Sequence, residues 1–195
     1  VQNLESVGIT IWHEINRLWR ERFVFRWTLA NTLGWSAGLL MGATTSSTLG
    51  GLPGVLLGGI ICGAIAGWGQ FLALRGFDLE IDRRWIVLSA IGGGLAIIPT
   101  GIAAIALVVG AHFGLAMMGA TFGLCVGLMQ SAAFAFPEDA IVMWGLANLL
   151  AGGLCSVFTL TGVPFNLPVI CTLGPVTFGA ITGFALIKIV RESEI

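Results

Sequence analysis

The nine basic and ten acidic residues of this chain lie at or beyond the ends of six long apolar stretches, and alternation puts all of them on one side. Arg17, Arg20, Glu21, Arg22 and Arg26 precede the first stretch, and Arg75, Asp78, Glu80, Asp82, Arg83 and Arg84 separate the second from the third. Glu138 and Asp139 fall between the fourth and fifth, and Lys188, Arg191, Glu192 and Glu194 follow the sixth. The other three connections carry no Lys, Arg, Asp or Glu. Lys and Arg collect on the cytoplasmic side of membrane proteins. The pattern predicts an all-α, multi-pass protein with six transmembrane helices and both the N- and C-termini in the cytoplasm.

Composition agrees with that constraint. The chain is 56% hydrophobic and 10% charged, against about 25% charged residues in soluble domains. Crossing the hydrocarbon takes roughly 20 apolar residues, and the stretches predict spans near 26–45, 52–75, 84–109, 112–135, 140–162 and 168–190. A net charge of −1 says nothing about nucleic acid; the chain has no basic tail, and no nucleic acid is expected as a partner. Cys62, Cys125, Cys155 and Cys171 stand singly in apolar segments, which suggests neither a zinc site nor a disulfide framework. The N-terminus has no short apolar core before a small-residue site, so the first span is expected to serve as its own insertion signal.

The stretches are related in pairs. Trp27, Trp85 and Trp144 recur at intervals of 58 and 59, each opening a similar segment. Asn31, Ser89 and Asn148 follow each Trp by four residues. A glycine-spaced block closes each unit: Gly63 to Gln70, then Gly123 to Gln130, then Gly179 to Leu186. The chain therefore reads as three helical hairpins, about 26–76, 84–136 and 143–191, in one orientation. Such repeats turn about an axis along the membrane normal. The series Trp27, Asn31, Gly34, Trp35, then Gly67, Gln70, Phe71, Leu72, Leu74, Arg75 resembles an uncharacterised class of Trp/Gly-rich repeat membrane proteins of cyanobacteria and related phototrophic bacteria. Unit one matches well. Unit two has Gly93 for the second Trp, and unit three has Leu186 for Gln. The resemblance implies this architecture, a bacterial inner or thylakoid membrane as its setting, and no activity.

Small residues four apart let membrane helices approach closely. Gly34, Gly38 and Gly42 form such a row in the first span, Gly59, Gly63 and Gly67 in the second, Gly119, Gly123 and Gly127 in the fourth, and Gly179 and Gly183 in the sixth. They are expected to pack the helices of one bundle, with homodimerisation as the other reading. Asn31, Ser89, Asn148, Gln70 and Gln130 are expected to form a polar layer at one depth, worth about 0.6–2 kcal/mol per interhelical contact. The sharper reading is contact with a pigment, because amide oxygens are competent ligands for chlorophyll magnesium. His112 reads as a helix-start residue or an axial tetrapyrrole ligand. Neither His112 nor His13 has the neighbours of a protein metal site. Chlorophyll, carotenoid or a bound lipid are the cofactors this composition can host, and none is demanded by a motif. Pro99 and Pro175 should kink or break spans three and six.

Residues 1–22 carry Leu4, Val7, Ile11, Trp12, Ile15, Leu18 and Trp19 at helical spacing, with Glu14, Arg17, Arg20 and Glu21 opposite. This predicts an amphipathic interfacial helix that lies on lipid, covers the bundle or docks on a partner. Trp12, Trp19, Trp27, Trp85 and Trp144 are expected as interface anchors. Pumps and ion-coupled transporters place ionisable residues inside the bilayer, and these spans hold none away from their ends. The favoured function is a non-catalytic accessory or structural subunit of a larger membrane complex, photosynthetic or respiratory, contacting lipids and other integral subunits. The alternative is a subunit that binds a vitamin-like small molecule for a transporter.

Overall fold

The computed structural model describes the backbone except at residues 1, 78–80, 135–136, 162–166 and 194–195. Side chains at 2–20, 104, 106, 134, 159–161, 167–171 and 192–193 are also outside the described set. The chain is helical nearly throughout: α1 Gln2–Leu49, α2 Gly51–Arg75, α3 Arg84–Leu95, α4 Ile97–Ala103, a 3-10 turn Ala104–Val108, α5 Ala111–Phe134, α6 Glu138–Thr161 and α7 Leu167–Ser193. Beyond α1, the long helices are apolar around their whole circumference, the expected pattern where lipid rather than water surrounds a helix.

Five segments are long and apolar enough to cross a membrane: Gly51–Arg75, Arg84–Ala103, Ala111–Ala133, Glu138–Phe158 and Thr172–Arg191. The first expected span, 26–45, is not among them. Trp27, Thr28, Asn31, Thr32, Trp35 and Ser36 dilute its apolar content. It nevertheless packs along its whole length against α2 and α7.

The expected boundary at residue 22 is not a break. α1 runs through it as one helix of 48 residues, about 70 Å at 1.5 Å per residue and well beyond the ~30 Å hydrocarbon. Nothing between Arg20 and Arg26 interrupts it, since that segment has no Gly or Pro. The side chains that define the amphipathic face, Trp12 and Trp19 included, lie outside the described residues.

Span three does break. Pro99 has no N–H to give, and α3 ends at Leu95, with Ala96 bonding back to Gly92 before α4 resumes. α4 buries no residue. Pro175 has a milder effect, since α7 continues through it. The turn from α1 to α2 uses Gly50 at φ 64° and Gly51 at φ 56°, a conformation glycine adopts without steric cost.

The rods close into a ring. α1 lies beside α2, α2 beside α3, α3 beside α5, α5 beside α6, α6 beside α7, and α7 beside α1. The glycine rows sit at these contacts, and a methyl group at most of them would strike a neighbouring backbone. Gly34, Gly38 and Gly42 face Ala66, Cys62 and Gly58 across the α1–α2 contact. Gly59 and Gly63 face the carbonyls of Gly93 and Ser89, and Gly67 faces the Ser89 side chain. Gly119 and Gly123 face the carbonyls of Gly152 and Asn148, and Gly127 faces the Asn148 side chain. Gly179 meets Thr28 and Asn31, and Gly183 meets the Trp27 ring. All eleven glycines therefore meet a neighbouring helix of the same chain.

Candidate functional site

The centre of the ring is built in layers. Trp27 of α1, Trp85 of α3 and Trp144 of α6 are fully buried and pack on one another, with ring centroids 6.5, 6.3 and 6.1 Å apart. Phe23 stacks on Trp27 at 6.0 Å, and Leu74, Leu186 and Ile189 complete the cluster. The expectation that these three tryptophans are interface anchors is corrected here. They form the core of the bundle, because two of their indole N–H groups find partners inside it.

The next layer holds those partners. Trp85 Nε1 donates to Gln70 Oε1 at 3.2 Å, and Trp27 Nε1 donates to Thr182 Oγ1 at 3.0 Å. Gln70 Nε2 donates to Asn31 Oδ1 at 2.7 Å. Gln130 Nε2 donates to Gln70 Oε1 at 2.7 Å and to Ser89 Oγ at 2.9 Å. Asn31 and Asn148 each donate Nδ2 to the carbonyl of the Trp four residues earlier, both at 2.9 Å, and Ser89 Oγ does likewise to Trp85 at 2.7 Å. The five amide and hydroxyl residues expected in a polar layer are all at or below 1% exposure, and four of them form one connected network. Among the described residues, Asn148 bonds only within its own helix. His112 does not belong to the layer: it is exposed at the second residue of α5.

Among the described residues, four buried polar atoms have no protein partner: Thr28 Oγ1, Gln130 Oε1, Trp144 Nε1 and Asn148 Oδ1. A comparison of Asn148 with Asn31, its counterpart in the sequence, accounts for the last of these. Asn31 Oδ1 receives N–H bonds from Gln70 and, at 3.2 Å, from Trp35 Nε1 one turn further on. In unit three those donor positions are Leu186 and Gly152, and neither side chain has a hydrogen to donate. A buried acceptor left without a donor costs about 1–3 kcal/mol.

Above the polar layer is an apolar cavity of about 370 Å³. Its walls are Trp35 and Leu39 of α1, Thr100 of α4, Met118 and Phe122 of α5, Gly152 and Ser156 of α6, and Phe178 of α7. Trp35 packs edge-on against Phe122 and Phe178 at 5.7 and 5.2 Å. Its size suits a small ligand. Neither this cavity nor the parts played in the core by Trp35 and Thr182 were apparent from the sequence. The available signal was the four-residue step from Asn31, Ser89 and Asn148 to Trp35, Gly93 and Gly152, where one large ring stands opposite two missing side chains. No family model, curated protein or solved structure matches the chain.

Proposed function

We propose that the protein is a non-catalytic integral membrane subunit that packs beside other components of a membrane assembly. One observation carries this reading. The buried polar side chains among the described residues are Asn31, Gln70, Ser89, Gln130, Ser131, Asn148 and Thr182. None of them ionises, whereas proton- or ion-coupled transport draws on ionisable groups at membrane depth. Most of their hydrogen-bonding capacity is spent on each other and on the helices. Such a layer fixes one arrangement of rods.

The finer reading is six crossings arranged as three parallel hairpins, with both termini on the charged side. It is supported by the likeness of the seams: Gly63 lies on Ser89 of the next unit, Gly123 on Asn148 of the next, and Gly179 on Asn31 of the first. The outward face of α6 supports the packing role, because Val142, Leu146, Leu150 and Leu154 form an exposed apolar row suited to lipid or to another integral subunit. A photosynthetic or respiratory assembly is the setting proposed. Asn31 Oδ1 and Gln70 Oε1 each already accept two N–H groups, which weighs against their ligating a chlorophyll magnesium. The vitamin-binding alternative draws less support, since the cavity wall is almost wholly apolar.

The test is co-migration on native gels from the native membrane. Deleting residues 1–19 should leave the bundle inserted and weaken its retention in the complex. The proposal fails if the full-length protein migrates alone in mild detergent, or if purified protein in liposomes moves a solute by itself.

A further inference from the structure

The apolar cavity has a floor. α1 and α5 stand on opposite sides of the ring, since α1 adjoins α2 and α7 while α5 adjoins α3 and α6. Trp35 of α1 nonetheless meets Phe122 of α5, and Phe178 of α7 as well. These rings close the axis at a point roughly 14 Å along α1 from Arg26, at 1.5 Å per residue. Ser156 belongs to the far end of the wall, about 27 Å along α6 from Glu138. The cavity thus runs from the middle to the edge of a hydrocarbon layer ~30 Å thick, on the side remote from the charged residues. Ser156 is also the hydroxyl that the wall leaves unspent. Ser46, Ser89 and Ser131 each donate to a carbonyl, and Thr100 of the wall pairs with Thr121. Among the described residues, Ser156 Oγ takes part in no hydrogen bond. It is not one of the four enclosed atoms without a partner, so its oxygen keeps accessible surface. It lies against Gly119, another residue of the wall.

We propose that the cavity holds one acyl chain of a membrane lipid, whose ester carbonyl accepts from Ser156 Oγ. The wall suits a hydrocarbon chain, because it is almost wholly apolar and no charged residue lines it. The chain runs inward from Ser156 and ends on Trp35, Phe122 and Phe178. Acyl ester carbonyls are the acceptors a bilayer offers where its hydrocarbon meets the headgroup region, and Ser156 stands at that depth. A chain without the carbonyl would fill the space and leave the hydroxyl without an acceptor, at a cost in affinity. With no charged side chain in the wall, the headgroup stays outside and goes unread. Lipid binding of this kind requires α6 to cross the membrane and does not require a partner subunit.

The experiment uses the purified full-length chain, stripped of lipid in detergent, and three probes: dioleoylphosphatidylcholine, its ether-linked dioleyl analogue, and dioleoylphosphatidylglycerol. Binding is read by native mass spectrometry and by ligand-induced shift in melting temperature. The ester lipid should bind saturably at one per chain, about fivefold tighter than the ether lipid. The two ester lipids should bind alike despite their different headgroups. Ser156→Ala removes the hydroxyl and leaves the space, so the ester preference should fall to near unity while the ether lipid binds as before. Leu115→Trp, which fills the cavity, should abolish binding of all three, whereas Leu128→Trp on the exposed side of α5 should not. Absence of saturable binding of the ester lipid overturns the proposal. So does equal affinity for ester and ether, a preference that survives Ser156→Ala, or binding that follows the headgroup instead of the linkage.

Discussion

The indole nitrogen of Trp85 donates to Oε1 of Gln70 across the contact between α2 and α3. The same oxygen accepts from Gln130, and the same side chain donates to Asn31. Gln70 is therefore the point where α1, α2, α3 and α5 are tied together. Gln70→Leu would remove one hydrogen bond each from Trp85, Gln130 and Asn31, leaving Gln130 its bond to Ser89 and Asn31 its bond from Trp35. We expect a loss of about 1–3 kcal/mol, taking ~0.6 kcal/mol or more for each of the three contacts. Reversible unfolding of the purified protein in mixed micelles measures it, and an unchanged stability would contradict the network.

Trp85 and Trp144 are equally buried, yet only Trp85 has a protein acceptor for its N–H. Replacing each by Phe removes a similar amount of ring. Trp85→Phe should cost about 1 kcal/mol more than Trp144→Phe, the usual net worth of one hydrogen bond. Equal costs would mean that the two indoles are held alike.

Gly63 and Gly123 face the carbonyls of Ser89 and Asn148 with no room for a methyl group. Gly63→Leu and Gly123→Leu must push two helices apart and should each lower the melting temperature in detergent by several degrees. Overpacking of this kind typically costs 1–3 kcal/mol. Ala43→Leu, at an exposed position of α1, is the control and should leave it unchanged.

The charge asymmetry predicts a single orientation. Cysteines placed at Asp82 and Asp139, in a chain lacking Cys62, Cys125, Cys155 and Cys171, should label with an impermeant reagent only from the cytoplasmic side. Labelling of either from outside intact cells would reverse the assigned sidedness.

The contact faces of the glycine rows were legible because backbone proximity leaves a direct mark: where two rods touch, the residue is small. The polar layer was legible from Asn31, Gln70 and Gln130 for a related reason, since amides in an apolar run need partners. The direction in which Trp27, Trp85 and Trp144 face was not legible. Rods apolar on all sides carry no periodic difference between lipid face and core, and tryptophan suits both a headgroup region and a packed interior. α1 misled in the opposite sense. The residues that make it central, Asn31 and Trp35 above all, are those that lower its apolar content. The cavity was hidden because it is an absence at Gly152, interpretable only once Trp35 is seen filling the corresponding place on α1.

Positions 35, 93 and 152, each eight residues after Trp27, Trp85 and Trp144, hold one indole and two hydrogens. A ring assembled from three separate, identical chains must place the same residue at all three. It would crowd three indoles into one layer or leave that layer empty. On the proposed three-hairpin reading, joining the hairpins into one polypeptide removes that restriction, because each copy can change alone. Asymmetry at the axis, with one wall solid and another hollow, is something a covalently joined ring can hold and an assembly of equals cannot.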